Sequence, residues 1–160
     1  MQQKHPVFEL DRMEELMPLI REALSAGKSV RIYPMGTSML PMLRQGKDSV
    51  VLSPITGKLR KYHIPLYQRD NGKYVLHRII GVGDTYTCMG DNQRKPEPGI
   101  REDQLIAVVT AFYRGERKIS VSHPGYWLYC WIWYHGRRAR QFLKKCLGRL
   151  RRWLRQGKTK

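Results

Sequence analysis

The sequence predicts a mainly β protein: a small coiled antiparallel β-domain with an N-terminal amphipathic helix and a C-terminal basic amphipathic helix. Short β-rich runs bounded by turn residues fill the middle of the chain. Because no helical pattern of about 10–15 residues separates these runs, they do not fit a parallel sheet of βαβ units. Apolar residues recur at helical spacing on either side of this region. We therefore divide the 160 residues into a helical segment 1–28, a β-domain 29–116 and a helical tail 117–160.

Composition places the chain among folded proteins. Hydrophobic residues make up 41% and aromatic residues 10%, enough for a core, which excludes wholesale disorder. Three cysteines cannot all pair, and no CxxC motif occurs, so we expect reduced thiols in a cytosolic setting. We expect no metal and no cofactor.

The positive charge is concentrated in the tail. Lys and Arg number 30 against 13 Asp and Glu, a net charge of +17. Residues 135–160 hold 11 Lys or Arg and no acid, so the remaining 19 basic residues exceed the 13 acids by only 6. The tail therefore makes the protein basic, and its charge favours binding to an anionic partner.

The N-terminal segment predicts an amphipathic scaffold helix. Asp11 followed by Glu14 resembles a capping box, and Gly27 suits a C-terminal stop. Pro18 interrupts the pattern, so we expect a kinked helix or two short helices. The acidic character of the segment differs from the basic and then apolar pattern of a signal peptide. The apolar stripe consists of Leu10, Met13, Met17, Ile20 and Leu24.

The β-domain contains two hairpin turns and six runs with the composition of strands. Asp70-Asn71-Gly72 and Gly83-Asp84 provide the residues that take positive φ in tight turns. The predicted strands are residues 30–33, 49–52, 64–69, 74–82, 86–89 and 105–113.

The tail combines aromatic and cationic residues. Its aromatic run, residues 126–134, is about half as long as the ~20 residues that a membrane-spanning helix needs, so we expect no transmembrane segment. Beyond it, apolar residues at helical spacing predict one apolar face, and Lys and Arg fill the opposite face of the same helix. This pattern is typical of an interfacial helix on an anionic membrane. A helix packed on its own domain and a nucleic-acid-binding stripe are the alternatives. The expected membrane contacts are Trp127, Trp131, Trp133, Arg149, Arg152 and Trp153.

A candidate nucleophile follows the first predicted strand. Residues 36–41 read Gly-Thr-Ser-Met-Leu-Pro, in which Gly36 allows close backbone approach and Pro41 suits a tight turn. A serine in such a corner projects from rigid backbone beside N–H groups, the geometry of a nucleophile with an oxyanion hole. Ser38 is therefore a candidate nucleophile, and an ordinary structural turn is the alternative.

A candidate general base lies in the strand predicted at 74–82. Alternation places His77 on one face with Val75 and Ile79, and Arg78 on the other face. Imidazole titrates near neutral pH and can accept the proton of a serine hydroxyl. A histidine satisfied within the core is the alternative.

Two acids are candidates for orienting the imidazole. Asp91 lies in the Gly-Asp-Asn segment 90–92 after a predicted strand, and Glu97 lies in the turn 96–99. An acid beside a histidine fixes its tautomer and stabilises the imidazolium. Both acids also fit ordinary turns, as do Asp48 and Asp84, which have less claim.

Taken in order, these segments resemble the signal peptidase I family and its LexA-like clan relatives, the self-cleaving SOS-repressor peptidases. The resemblance covers residues 29–113 and includes residues 46–51. It implies a coiled β fold in which a serine opens a turn and its base lies on a neighbouring strand. Bacterial signal peptidases carry Lys where this chain has His77, so the site resembles the endoplasmic-reticulum and archaeal subtype.

The resemblance also implies roles around the catalytic pair. Ser38 is the nucleophile, His77 is the general base, and the acid is Asp91 or Glu97, although relatives usually carry Asp where Glu97 stands.

For the oxyanion hole, the resemblance implies the Ser38 N–H with help from Thr37. Gly36 occupies a position at which some members offer a hydroxyl, and Met39 lines the pocket for a small substrate side chain.

The first hypothesis is a serine endopeptidase that cleaves a precursor or leader peptide after small residues. Since a membrane-spanning anchor is not expected, we place it in the cytosol, peripheral to the inner membrane face. The second is a non-catalytic adaptor that binds a membrane surface or nucleic acid through the tail. The third, self-cleavage at the Ala26–Gly27 bond, ranks last because this bond is expected to end a helix.

Overall fold

The computed structural model describes residues 7–9, 13–136 and 146. This part of the chain is mainly β, with a curled antiparallel sheet and two α-helices, as the sequence predicts. No helix within it is both long and apolar enough to cross a membrane. Leu10, Asp11 and the tail residues Arg149, Arg152 and Trp153 lie outside the described residues.

Helix α1 (Met13–Ser25) is amphipathic, and the described part of its expected apolar stripe is buried. Pro18 lies on the exposed side and does not divide the helix in two, because a proline this close to the N-terminus removes only one early hydrogen bond. Gly27 follows the helix with a φ of 72°, so the Ala26–Gly27 bond does end a helix. The buried stripe is Met13, Met17, Ile20 and Leu24.

Ten strands follow one another in the described chain. They are β1 (Val7–Glu9), β2 (Val30–Tyr33), β3 (Asp48–Ser53), β4 (Pro65–Gln68), β5 (Tyr74–Leu76), β6 (Arg78–Val82), β7 (Tyr86–Met89), β8 (Glu97–Ile100), β9 (Leu105–Arg114) and β10 (Arg117–Ser120).

The strands form two sheets. The larger has the order β1-β2-β3-β9-β4-β5, with β10 also paired to β9, and the smaller has the order β6-β7-β8. All pairings are antiparallel except that of β1 with β2. The hairpins predicted at 70–72 and 83–84 connect β4 to β5 and β6 to β7. One buried cluster comprises Leu59, Tyr67, Ile79, Tyr86, Cys88 and Ile100.

The single strand predicted at 74–82 is wrong, because the chain passes from the larger to the smaller sheet at His77. His77 and Arg78 are both buried, but in different surroundings. His77 contacts Tyr67, whose cluster includes Ile79. Arg78 instead bonds Asp91 and Tyr126. The crossing is anchored by the backbone of Ile79, which bonds Tyr62 and His63 at 2.8 Å each.

Three further elements differ from the sequence prediction. Glu97 begins strand β8 instead of lying in a turn, and the acid Asp48 begins β3, where it is fully buried against Arg44. Strand β10 lies in the segment expected to be a helical tail. Helix α2 (Pro124–His135) contains the aromatic run.

Candidate active site

Ser38 and His77 line the same cavity, which has a volume of about 190 Å³. Ser38 lies in the loop after β2, and His77 directly follows β5, four strands away in the larger sheet. The curl of that sheet therefore brings the two segments together. No hydrogen bond joins their side chains in the described chain, a separation common before substrate binds. The apolar walls include Met39, Leu43, Val75 and Leu76.

The loop that carries Ser38 is held by its own hydrogen bonds. The Leu40 N–H donates to the Thr37 carbonyl at 3.2 Å, and the Gly36 N–H donates to Gln45 Oε1 at 2.9 Å. Gly36 was expected to permit a close approach, but a Cβ placed there would meet nothing within 4 Å. Its φ of 86° is the actual reason for glycine.

The segment 90–92 clamps the backbone of Ser38 from the other side. The Asn92 N–H donates to the Ser38 carbonyl at 2.8 Å, and Asn92 Nδ2 donates to the Thr37 carbonyl at 3.3 Å. A Cβ on Gly90 would lie 2.7 Å from the Ser38 carbonyl oxygen and 3.1 Å from Ser38 Cβ. Gly90 is thus required for the close approach of the two backbones.

We expect Gly90→Ala to reduce kcat on a peptide substrate about 100-fold, because the new methyl group displaces Ser38 from its position in the cavity that His77 also lines. The measurement is steady-state kinetics, with circular dichroism to show that the fold persists. Gly57→Ala is the matched control, since a Cβ at Gly57 meets nothing within 4 Å and its φ is not positive. An unchanged kcat in Gly90→Ala would contradict this role.

A chain of three side chains lies behind His77. His77 Nδ1 is 3.3 Å from the Tyr67 hydroxyl oxygen and 3.7 Å from Glu97 Oε2, and the Tyr67 hydroxyl donates to Glu97 Oε2 at 2.8 Å. Arg69 holds both oxygens of Glu97 at 2.6 Å. Since Nδ1 faces this group, Nε2 is the nitrogen left to interact with a nucleophile or substrate.

The environment keeps His77 neutral. Burial lowers the pKa of His77 to about 4, although the adjacent Glu97 carboxylate opposes the shift. Burial raises the pKa of Glu97, but the hydrogen bonds from Arg69 and Tyr67 outweigh it and hold that pKa below its usual value. Near neutral pH the site therefore pairs a neutral imidazole with an ionised carboxylate, the protonation state that a general base requires.

This arrangement predicts an unusually acidic limb in the pH profile of peptidase activity. As the pH falls through about 4, His77 gains a proton and can no longer accept one from Ser38. We expect kcat/KM to be level between about pH 5.5 and 7.5 and to fall with a midpoint near 4, whereas an ordinary histidine titrates near 6.5. Circular dichroism at each pH separates titration from unfolding. A midpoint at or above 6 would be incompatible with the buried neutral imidazole.

Asp91, the other candidate acid, is committed elsewhere. Arg78 donates from Nε and Nη2 to the two Asp91 oxygens at 2.8 and 2.7 Å, and both side chains are 2% exposed. Arg78 also donates to the Tyr126 hydroxyl at 2.8 Å, and that hydroxyl donates to the Tyr62 carbonyl at 2.7 Å. Glu97 is thus the acid nearest His77. Asp91 instead holds the side chain of Arg78, the residue after His77.

The positions expected for the oxyanion hole and pocket surround Ser38. The Ser38 N–H has no partner among the described residues, so it is available to an oxyanion. Gly36 and Met39 line the cavity, Met39 being buried, whereas Thr37 is exposed and contributes its carbonyl to the turn. No group of three His, Cys, Asp or Glu side chains in the described chain is arranged to hold a metal.

The tryptophans expected at a membrane differ in their surroundings. Trp127 packs edge-on against Tyr62 and His63, with ring centroids 5.9 Å apart in each case, so its ring contacts the β-domain. Trp133 stacks on Tyr129, and Trp131 is 55% exposed.

Sequence reasoning missed Tyr67 and Arg69. Both lie on or beside β4, where Tyr67 had the sequence pattern of an ordinary buried aromatic residue. Only the pairing of β7 with β8, which sets Cys88 opposite Glu97, reveals that a carboxylate comes within reach of them.

Comparison with family models, curated proteins and solved structures found no match to this chain.

Proposed function

We propose that this chain is a serine endopeptidase of the signal-peptidase type, with Ser38 as nucleophile, His77 as general base and Glu97 as the orienting acid. The observation that carries the proposal is that Ser38 and the buried His77 line one cavity, although they come from distant parts of the chain. The order of the three motifs and the curled antiparallel sheet support a fold of signal-peptidase/LexA-like type.

The proposed reaction uses the Ser38 hydroxyl, the His77 imidazole and the Ser38 N–H. Ser38 Oγ attacks the peptide carbonyl carbon while His77 Nε2 takes the hydroxyl proton, and the Ser38 N–H donates to the resulting oxyanion. His77 then gives the proton to the leaving amine, the C–N bond breaks and an acyl ester remains on Ser38. A water molecule, deprotonated by His77, hydrolyses that ester and restores the hydroxyl.

The cavity supports a substrate that is extended and has a small side chain at the cut. Strand β5 is an edge of the larger sheet, and its residues Tyr74, Val75 and Leu76 line the cavity. An extended peptide can pair with such an edge through its backbone. Met39 and Leu43 belong to the apolar lining of this small cavity. Their bulk supports cleavage of a precursor or leader peptide after small residues.

We further propose that the enzyme works at the cytosolic face of an anionic membrane. Helix α2 exposes Leu128, Trp131 and Ile132 by 60%, 55% and 54%, and 11 Lys or Arg follow in residues 135–160. Exposed apolar groups next to basic residues are the requirements for interfacial binding.

The proposal is tested with a diverse peptide pool, incubated with the full chain and analysed by mass spectrometry, with and without anionic vesicles. Cuts after small residues that depend on Ser38 are expected. Their absence in every condition would reject the peptidase.

The exposed face of α2 also favours a second candidate, a non-catalytic membrane-surface adaptor. It predicts tight binding to anionic vesicles by wild type and Ser38→Ala alike, with no cleavage by either. Salt-sensitive binding to duplex DNA without vesicle binding would instead support a nucleic-acid partner.

A further inference from the structure

Tyr67 occupies the space between His77 and Glu97. Its side chain is fully buried, and its hydroxyl lies 3.3 Å from His77 Nδ1 and 2.8 Å from Glu97 Oε2. The direct distance from Nδ1 to Glu97 Oε2 is 3.7 Å, too long for a good hydrogen bond. The acid therefore reaches the imidazole through the tyrosine.

The proton count along this chain determines the histidine tautomer. An ionised carboxylate only accepts, so the single proton of the Tyr67 hydroxyl is directed to Glu97. The hydroxyl oxygen is then left to accept, and the partner at 3.3 Å must donate. That partner is Nδ1, which consequently carries the proton of the neutral ring.

We propose that Tyr67 is a positioning residue, whose hydroxyl holds His77 as the Nδ1–H tautomer and leaves the Nε2 lone pair free to accept a proton. The assignment of that proton to Ser38 rests on the proposed function; the tautomer does not.

The neighbouring residues hold Tyr67 and Glu97 in place. Arg69 binds both oxygens of Glu97, so the carboxylate cannot rotate toward His77 without losing a bond at 2.6 Å. Tyr67 is packed in the buried cluster with Ile79 and Cys88. Burial and the Glu97 hydrogen bond both raise the pKa of Tyr67, so it keeps its proton.

The charged groups around His77 come from several elements. They are Glu97 of β8, Arg69 after β4 and Asp91 after β7, of which Glu97 and Asp91 favour the protonated ring and Arg69 disfavours it. The Tyr67 hydroxyl lies between the nearest of these groups, the Glu97 carboxylate, and the His77 imidazole. Removing its hydroxyl is expected to change the tautomer and the acid limb of the activity profile together.

The first test is nuclear magnetic resonance on the ¹⁵N-labelled full chain at pH 7. Two-bond proton–nitrogen correlations distinguish a protonated Nδ1 from a protonated Nε2, and His77→Gln identifies the signal among the five histidines. We expect His77 to be neutral with the proton on Nδ1. A proton on Nε2 would overturn the assignment of Tyr67, whether or not the protein cleaves peptides.

The second test is Tyr67→Phe. We expect the Nε2–H form to become populated and kcat to fall about tenfold with KM unchanged, the effect of one lost hydrogen bond. Tyr86→Phe is the matched control, because Tyr86 lies in the same buried cluster and its hydroxyl donates to a different carboxylate, Glu102. A Tyr67→Phe protein that keeps the Nδ1–H form would overturn the proposal.

The two proposals fail in different ways. A wild-type chain with the Nδ1–H tautomer, lost in Tyr67→Phe, but without peptidase activity would support the role of Tyr67 and reject the proposed function. Peptidase activity that falls equally in Tyr67→Phe and Tyr86→Phe would reject the specific role of Tyr67 and leave the function standing.

Discussion

Ser38→Ala is expected to reduce kcat/KM for peptide cleavage by about 10⁴-fold or more, because no other described serine or threonine lines the cavity to replace the nucleophile. His77→Ala should lose activity to a similar extent. Since the two residues act in one step, the double variant should be no worse than either single variant. The measurement is steady-state kinetics on a peptide identified in the pool.

Ser122→Ala is the matched control, since Ser122 is exposed and bonds only Ser120 among the described residues. Its activity should equal that of wild type. A Ser38→Ala protein that retains a tenth of wild-type activity would exclude Ser38 as the nucleophile.

Asp91→Ala is expected to produce the largest loss of stability, about 3–5 kcal/mol in the free energy of unfolding. The substitution leaves the Arg78 guanidinium, 2% exposed, without its carboxylate partner. Urea unfolding followed by circular dichroism measures the loss.

Asp70→Ala serves as the comparison, because Asp70 pairs with Arg101 at 3.2 Å where both side chains are more than half exposed. Such surface pairs contribute only about 0–1 kcal/mol. Replacing both buried partners with apolar residues, Arg78→Met with Asp91→Leu, should recover much of the stability lost in Asp91→Ala. Equal losses for Asp91→Ala and Asp70→Ala would show that the buried pair has no special role.

The sequence pattern predicted the scaffold where local physics determines structure. The 3.6-residue period before Gly27 predicted α1, and Asp70-Asn71-Gly72 predicted the β4–β5 hairpin, because these features act within a few residues. Ser38 and His77 were predicted as a pair from the resemblance of three ordered motifs to a known family, and both line one cavity.

The remaining features depend on pairing between distant segments. An apolar run such as 74–82 has the same composition whether it forms one strand or two, and the transfer between sheets at His77 is decided by the strands it joins. Pro96 and Pro98 give the segment around strand β8 the sequence pattern of a turn, because proline is uncommon within strands. The pairing of β8 with β7 could therefore not be predicted. Without that register, the sequence could not determine that Glu97 approaches His77 or that Tyr67 lies between them.

In the proposed reaction, Ser38 forms a covalent acyl intermediate with the help of His77. The most direct measurement is intact-protein and tandem mass spectrometry after acid quench of the full chain mixed with an activated peptide ester ending in alanine. We predict one added acyl group on Ser38 that accumulates within the first turnover in wild type and not in His77→Ala. Peptide cleavage without any adduct on Ser38, or an equal acyl adduct formed by Ser38→Ala, would contradict the role of Ser38 as the nucleophile.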